Sequence, residues 1–322
     1  MTAPQFIQLE QHNSAAVVQE LLQGLSASQA FTSPKYLYDA LGSRLFEAIT
    51  ELPEYDLTRT EAQLMQLHSA DMAQHLPHGA CWIDLGAGNC EKAGRLLGPL
   101  SAGRYVAVDI SVDFLRHALD GLQRLHPGLP MAGVGTDFSG GLQLPDELGL
   151  DPTQPRVLFY PGSSIGNFTP TQAVDFLRSL HLVCGTAAHS GLLIGVDLLK
   201  DAAELEAAYD DALGVTAAFD LNLLLHINRL VGSNFGVRDW RHVSRFNANQ
   251  SRVEMHLQAR HAVHVQWPGG ERLFAADETI HTENACKWTV SGFDALLRDA
   301  GFSASRVWTD PAARFAVFWA QA

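Results

Sequence analysis

Two glycines, Gly86 and Gly88, stand in the string DLGAGNCEK (84–92), directly after a short apolar run. Glycines at such a point let the backbone turn tightly and come close to a ligand. A dinucleotide fingerprint needs a third glycine three residues on, where this chain has Glu91. A carboxylate at a helix N-terminus opposes a bound pyrophosphate but tolerates a cationic sulfonium. Asp109 ends the next apolar run, 23 residues after Gly86. An acid in that place accepts hydrogen bonds from ribose hydroxyls. Asp137 and Phe138 close a third run. There an acid can take an adenine amino group and a ring can stack on the base. In this order, at the ends of successive strands, these residues predict a site for S-adenosylmethionine. The competing expectation is that Asp109 and Asp137 each cap the helix that follows.

The elements that must position these groups show in the hydrophobic pattern. WIDLG (82–86), YVAVDIS (105–111), MAGVGTDF (131–138), RVLFYPGSSIGNF (156–168) and GLLIGVDLL (191–199) read as five short strands. Helical segments over about 90–98, 114–125 and 171–183 separate them. Short apolar strands alternating with helices predict an α/β fold with a parallel, doubly wound sheet. Residues 14–50 read as helical, and LPEYDLTRTE (52–61) as a loop into a helix. Thr58 or Thr60 is a candidate cap for that helix, with Glu61 favouring its positive end. Residues 200–245 read as helical. RVEMHLQARHAVHVQW (252–267), ERLFAADETIHTE (271–283) and RFAVFWAQ (314–321) read as antiparallel strands. The predicted organisation is therefore a core over 61–196 plus 287–322 and an inserted α+β substrate lobe over 197–286. Residues 1–60 form a helical segment contributing to that lobe.

Bulk properties narrow the function. With 35 acidic against 22 basic residues, net charge −13, the chain lacks the basic patch that nucleic acid or an anionic membrane requires. It has no apolar run long enough to span a bilayer and no signal-like N-terminus, so a cytoplasmic protein is expected. The four cysteines form no CxxC pair, and the 14 histidines form no HExxH or i, i+4 set. Neither a disulfide framework nor a metal is expected.

Longer strings go further. SPKYLYDALGSRLFEAITELPEYDLTRTE (33–61), FYPGSSIGNF (159–168), AYDDALGVTAAFDLNLLLHINR (208–229), VEMHL (253–257) and HTENACKW (281–288) resemble the histidine Nα-methyltransferase family of ergothioneine biosynthesis. The resemblance runs from about residue 30 to the C-terminus. It implies a class I methyltransferase core with a substrate-binding lobe, and trimethylation of the α-amine of histidine to hercynine. Gly86, Lys92, Asp109, Asp137 and Phe138 match the family's cofactor contacts. Asn167 and Tyr209 match the residues that hold the substrate's amine and carboxylate, and Tyr38 stands near them in the matched N-terminal string. Tyr55 and Glu283 match the pair that holds the imidazole, and Met255 a pocket-lining position. A monomer acting on a small amino acid is implied.

The residue types suit those roles. Asn167 has both donors and an acceptor for an amine and a carboxylate. Tyr209 offers a phenol donor, and Glu283 accepts an imidazole N–H. The plainer alternatives are a turn former at Asn167 after Gly166, core packing at Tyr209 and an exposed edge residue at Glu283. One position departs from the family, which has a serine two residues after the acid where this chain has Ala285. The lost hydroxyl contact is worth roughly 0.5–1.5 kcal/mol. It leaves open a tryptophan-like or thiolated-histidine substrate, or methylation of a ring nitrogen. Asn284 points to the opposite strand face unless the strand is bulged there. In-line methyl transfer needs a neutral amine and uncharged polar neighbours, here Asn167 and carbonyls near Gly162. A nicotinamide-dependent oxidoreductase, disfavoured by Glu91, and a non-catalytic binding protein are the alternatives of other classes.

Overall fold

The computed structural model describes residues 3–9 and 14–322. The chain divides into two compact units. The first comprises Met1–Gln11, Leu57–Leu199 and Trp288–Ala322, and the second His12–Asp56 and Lys200–Lys287. The junctions at 56/57, 199/200 and 287/288 stand against 60/61, 196/197 and 286/287 expected from sequence.

Two expectations about the N-terminal region are corrected. Strand β1 (Gln5–Gln8) is not helical and does not join the substrate lobe; it pairs in parallel with β5 (Met131–Gly135) in the first unit. A Cβ at Gly133 would lie 2.7 Å from the Phe6 ring, so the glycine makes room for this strand. Residues 14–50 are not one helix. Helix α1 (Ser14–Ser26) stops, β2 (Ala30–Phe31) and a 3-10 turn at Pro34–Leu37 follow, and α2 (Ala40–Thr50) begins afresh. Pro34 cannot donate into a helix ladder, and Asp39 caps α2 by accepting from Gly42 N at 2.7 Å.

In the first unit α3 (Leu57–His75) leads into β3 (Cys81–Leu85). Since α3 starts at Leu57, Thr58 and Thr60 lie inside its first turn and cap nothing. The alternation continues through α4 (Glu91–Leu97), β4 (Arg104–Asp109), α5 (Val112–Leu125), β5, β6 (Arg156–Tyr160), α6 (Pro170–Cys184) and β7 (Gly191–Asp197). β3, β5 and β7 are buried at every residue, as strands covered on both faces are.

The second unit continues with α7 (Ala202–Tyr209) and α8 (Val215–Val231). The helical expectation for 232–245 fails. Gly232, at φ +71°, ends α8 as a left-handed cap, and β8 (Trp240–Asn247) begins soon after. The two long strand-like runs each split, giving β9 (Arg252–Ala259), β10 (Val263–Trp267), β11 (Gly270–Phe274) and β12 (Thr279–Cys286). The sheet of this unit has the order β2-β12-β9-β8, antiparallel among the last three, and β10–β11 form a separate hairpin.

The chain closes in the first unit with α9 (Val290–Asp299), β13 (Ala304–Thr309) and β14 (Phe315–Gln321). The eight-stranded sheet has the order β1-β5-β4-β3-β6-β7-β14-β13. All neighbours are parallel except β14, which runs antiparallel to β7 and β13. From β3 the chain steps outward to β4 and β5, then returns to β6 and steps the other way. Right-handed crossovers put the connecting helices on opposite faces, so this is a doubly wound α/β sheet. The reversal between β3 and β6 opens the crevice where such sheets bind ligands, outside the carboxyl ends of the strands. Among the described residues, no helix is long and apolar enough to cross a membrane.

Candidate active site

The glycine loop after β3 has the conformation its composition requires. Gly86 and Gly88 have φ of +69° and +52°, which a side chain disfavours. Gly88 N donates to Asp109 Oδ2 at 2.9 Å, and Ser111 N donates to Asp109 Oδ1 at 2.8 Å. Asp109 thus fastens the loop after β3 and the entry to α5 together. The capping alternative is realised in part, because Ser111 precedes the first residue of α5. The Ile110 amide and the Ser111 hydroxyl bond to the same carboxylate. Burial raises the Asp109 pKa, opposed by the hydrogen bonds from Ser111 and Gly88.

Asp137 accepts from Ser139 N at 2.9 Å in a turn, and no α-helix starts behind it, so the capping alternative fails at this position. The Phe138 ring lies over the loop, 3.8 Å from where a Gly86 Cβ would stand, and meets Tyr160 edge-on at 6.2 Å. Glu91 is exposed and pairs with Arg95 at 3.5 Å. The donor set fits S-adenosylmethionine: carboxylates for the ribose and the adenine amino group, an aromatic face, and an acidic setting for a sulfonium.

Glu61 corrects the sequence expectation most. It is 1% exposed, and its carboxylate joins two segments instead of serving the α3 terminus. Oε2 pairs with Lys92 Nζ at 2.7 Å and Oε1 accepts from Gly162 N at 2.8 Å. Lys92 is therefore held beside the loop after β6. In that loop Gly162 and Ser163 take the left-handed positions, with φ of +78° and +58°. Ser163 Oγ accepts from Asp197 N at 2.9 Å, tying the loop to the end of β7. Asn167 ends the following 3-10 turn, before the Thr169 cap of α6. It is half-buried and sits in the turn itself, as the turn-former alternative has it.

In the second unit the three tyrosines are linked by ring contacts. Tyr38 meets Phe46 edge-on at 5.5 Å, Phe46 meets Tyr55 at 6.4 Å, and Tyr55 meets Tyr209 at 6.0 Å. Tyr209 is more than core packing. Lys287 donates from Nζ to its hydroxyl at 3.0 Å and lies 4.7 Å from its ring centroid. The Tyr209 carbonyl accepts from His242 Nε2 at 2.8 Å, while His242 Nδ1 meets Asp220 Oδ2 at 2.7 Å. A carbonyl only accepts, so Nε2 carries a proton, and the carboxylate demands one on Nδ1 as well. Burial opposes this imidazolium, but the Asp220 hydrogen bond and charge prevail and raise the His242 pKa.

A β-bulge decides the face of Glu283. His281 pairs with His256, yet Glu283 pairs with Met255, because the register shifts between them at Thr282. Glu283 thereby stands on the Met255 face, with Ala285 opposite Val253 in the next row. Asn284 pairs with Glu254 on the other face, so the bulge does not bring it to the position of the missing serine. Ala285, 6% exposed, packs in an apolar cluster with Leu205 and Val253, against which Tyr209 and Phe246 lie. Lys287 and His242 were not singled out from sequence. Lys287 lies inside the string HTENACKW, whereas His242 carries no local signal.

Among the described residues no group of three or more His, Cys, Asp or Glu side chains is arranged to hold a metal. All four cysteines are buried, and burial pushes Cys81 up to about 11 and Cys90 and Cys184 up to about 12.

Comparison with known proteins supplies an independent finding. Residues 17–322 match the family described as histidine-specific, S-adenosylmethionine-dependent methyltransferase. A histidine N-alpha-methyltransferase of Mycolicibacterium smegmatis is 37% identical over 306 residues, covering 93% of each chain. One of Mycobacterium tuberculosis is 37% identical over 311 residues, again with 93% of each chain covered. Ergothioneine biosynthesis protein 1 of Neurospora crassa is 31% identical over 283 residues, which cover 85% of this chain and 31% of that protein.

Proposed function

This chain belongs to the histidine-specific, S-adenosylmethionine-dependent methyltransferase family, and on that premise we propose that it trimethylates the α-amine of L-histidine to hercynine. The observation that carries the substrate assignment is the wall of the second unit. The bulge at Thr282 turns a carboxylate, Glu283, onto the same strand face as Met255 and Ala285, and Ala285 packs with Tyr209. A carboxylate beside apolar and aromatic groups suits a ring that presents an N–H.

In the first unit Asp109 would hold the ribose and Asp137 the adenine amino group, with Phe138 against the base. Gly86 and Gly88 would let the backbone approach, and Lys92 would lie alongside. Bound there, S-adenosylmethionine supplies an electrophilic methyl carbon. Asn167 and Tyr209 act on the acceptor and are the residues we assign to catalysis. Asn167 takes an amine N–H on its amide oxygen, and Tyr209 donates its phenol proton to the carboxylate. The amine must reach its neutral form, and an anion beside it would hold the proton on. Asn167 and the backbone at Gly162 are uncharged, and the charge of Glu61 is matched by Lys92. The proton leaves to water, with no side chain assigned as base. The small residues Gly162, Ser163 and Ser164 leave room for a growing cationic head. The proposal also takes the enzyme as cytoplasmic and monomeric.

Incubation with labelled S-adenosylmethionine and a panel of amino acids, read by mass spectrometry, tests the proposal. Histidine carrying one, two and then three methyl groups on its α-nitrogen is expected. Ala285 favours a second outcome, in which a tryptophan-like or thiolated-histidine substrate, or a ring nitrogen, takes the methyl. Methylation of another amino acid with histidine untouched would overturn the histidine assignment.

A further inference from the structure

Tyr209 is gripped at both ends. Its carbonyl accepts from His242, and at its phenol stands Lys287, a lysine only 4% exposed, whose Nζ donates to the hydroxyl at 3.0 Å. An ammonium only donates, so the phenol oxygen is the acceptor in this contact. A lysine is rarely buried so deeply, because its charge is costly to take out of water. This one is fixed from its backbone outward. Lys287 N donates to the Ser251 carbonyl at 2.7 Å, and Ser251 Oγ donates to the Lys287 carbonyl at 2.9 Å. The residue after β12 is thereby pinned to the turn between β8 and β9, where Ser251 takes a left-handed φ of +49°.

We propose that Lys287 is the positive charge by which the site reads the carboxylate of its amino-acid substrate, acting through the phenol of Tyr209. The inference deepens the reading in which Tyr209 holds that carboxylate, and rests on it. Tyr209 is only partly buried and makes the contact, while the ammonium lies behind it. Donation from Lys287 draws charge from the phenol oxygen and strengthens the phenol as a donor. With one hydrogen bond on each side of that oxygen, ammonium and carboxylate stand about 5 Å apart. Opposite charges at that distance attract appreciably even at the screening found near a protein surface. Lys287 is therefore a positioning residue with an electrostatic effect. An α-carboxamide keeps an oxygen that accepts from the phenol but carries no charge. An amino acid and its amide thus separate the charge from the hydrogen bond.

Binding of histidine and of histidinamide to wild type and Lys287→Met tests this, read as KM or, where the amide is not turned over, as a competitive inhibition constant. Methionine keeps much of the chain length without the charge. Wild type is expected to prefer histidine by about 10-fold or more, and Lys287→Met to lose most of that preference by weakening histidine, with histidinamide changed by less than about 2-fold. Equal weakening of both ligands marks a structural lysine that merely holds the Tyr209 ring, and overturns the proposal. A wild type that binds the two alike also overturns it, and that result needs no variant to fold. If another amino acid proves to be the substrate, that amino acid and its amide replace the histidine pair, so the histidine assignment can fail while this inference stands. A wild type that methylates no amino acid overturns both.

Discussion

Glu61→Gln isolates the physics of the cofactor-side loop, because the substitution keeps shape while removing the charge and turning one acceptor into a donor. The two partners of Glu61, the Lys92 ammonium at 2.7 Å and the Gly162 amide at 2.8 Å, are both donors. A carboxylate accepts from both. A glutamine has one oxygen and one NH2, so whichever way the amide is turned, a donor faces a donor. Removing one partner of a fully buried ion pair costs about 3–5 kcal/mol. Here Glu61 is 1% exposed but the Lys92 side chain is 33% exposed, so water recovers part of the loss. About 2–3 kcal/mol is the discounted figure. At about 2–4 °C per kcal/mol for a unit of this size, the melting temperature should fall by about 4–12 °C. Scanning calorimetry of wild type and Glu61→Gln at neutral pH reads this directly. A shift below about 1 °C would refute the claim that both donors depend on the charge.

Three further outcomes follow from the same geometry. Asn167→Ala should lower kcat/KM for histidine by about 10-fold or more, the loss of one charge-assisted bond, and an unchanged value in steady-state assays would remove Asn167 from the amine site. Glu283→Ala should raise the histidine KM by about 10- to 150-fold, while turnover of phenylalanine, which has no ring N–H, falls less; equal losses on both would contradict an imidazole contact. The Asp220–His242 pair should make stability pH-dependent. The folded His242 pKa is raised above 6.5, so its contribution is fully present below about pH 6.5 and is lost as pH rises through the raised value. The melting-temperature penalty of Asp220→Asn should therefore be larger at about pH 6 than at about pH 9, and an equal penalty at both would show that His242 is neutral.

The core sheet was legible because its signal is local. Each strand of 81–197 is a short apolar run, with Asp109 closing β4 and Asp137 two residues past the end of β5. Failures came where a distant partner overrides the local pattern. Residues 5–8 are strand because β5 offers a free edge and Gly133 makes room for Phe6, neither of which the sequence QFIQ announces. The break at 27–39 needed Pro34 and the Asp39 cap to be weighed above the apolar spacing on either side. Glu61 looked like a helix-terminus acid because its partners lie 31 and 101 residues away.

The site of the second unit shows why residue types read more easily than their directions. Spacing alone sets His281, Glu283 and Ala285 on one face of a strand, since side chains alternate with period two. One extra residue at Thr282 breaks that rule. His281 goes to the face of His256, where the two rings stack at 4.7 Å, and Glu283 goes to the face of Met255. Thr282 is 1% exposed, so the bulge is packed in place, and no glycine marks it. Without the bulge, pairing from His281 onward would put Glu283 opposite Glu254 instead of Met255. Two carboxylates would then face each other across the ladder, a repulsion that cross-strand pairing disfavours. Glu254 is engaged by Arg252 and Asn247 on its own side. The shift thus puts Glu254 and Glu283 on opposite faces of the sheet, a division visible only once the pairing of β9 and β12 is known.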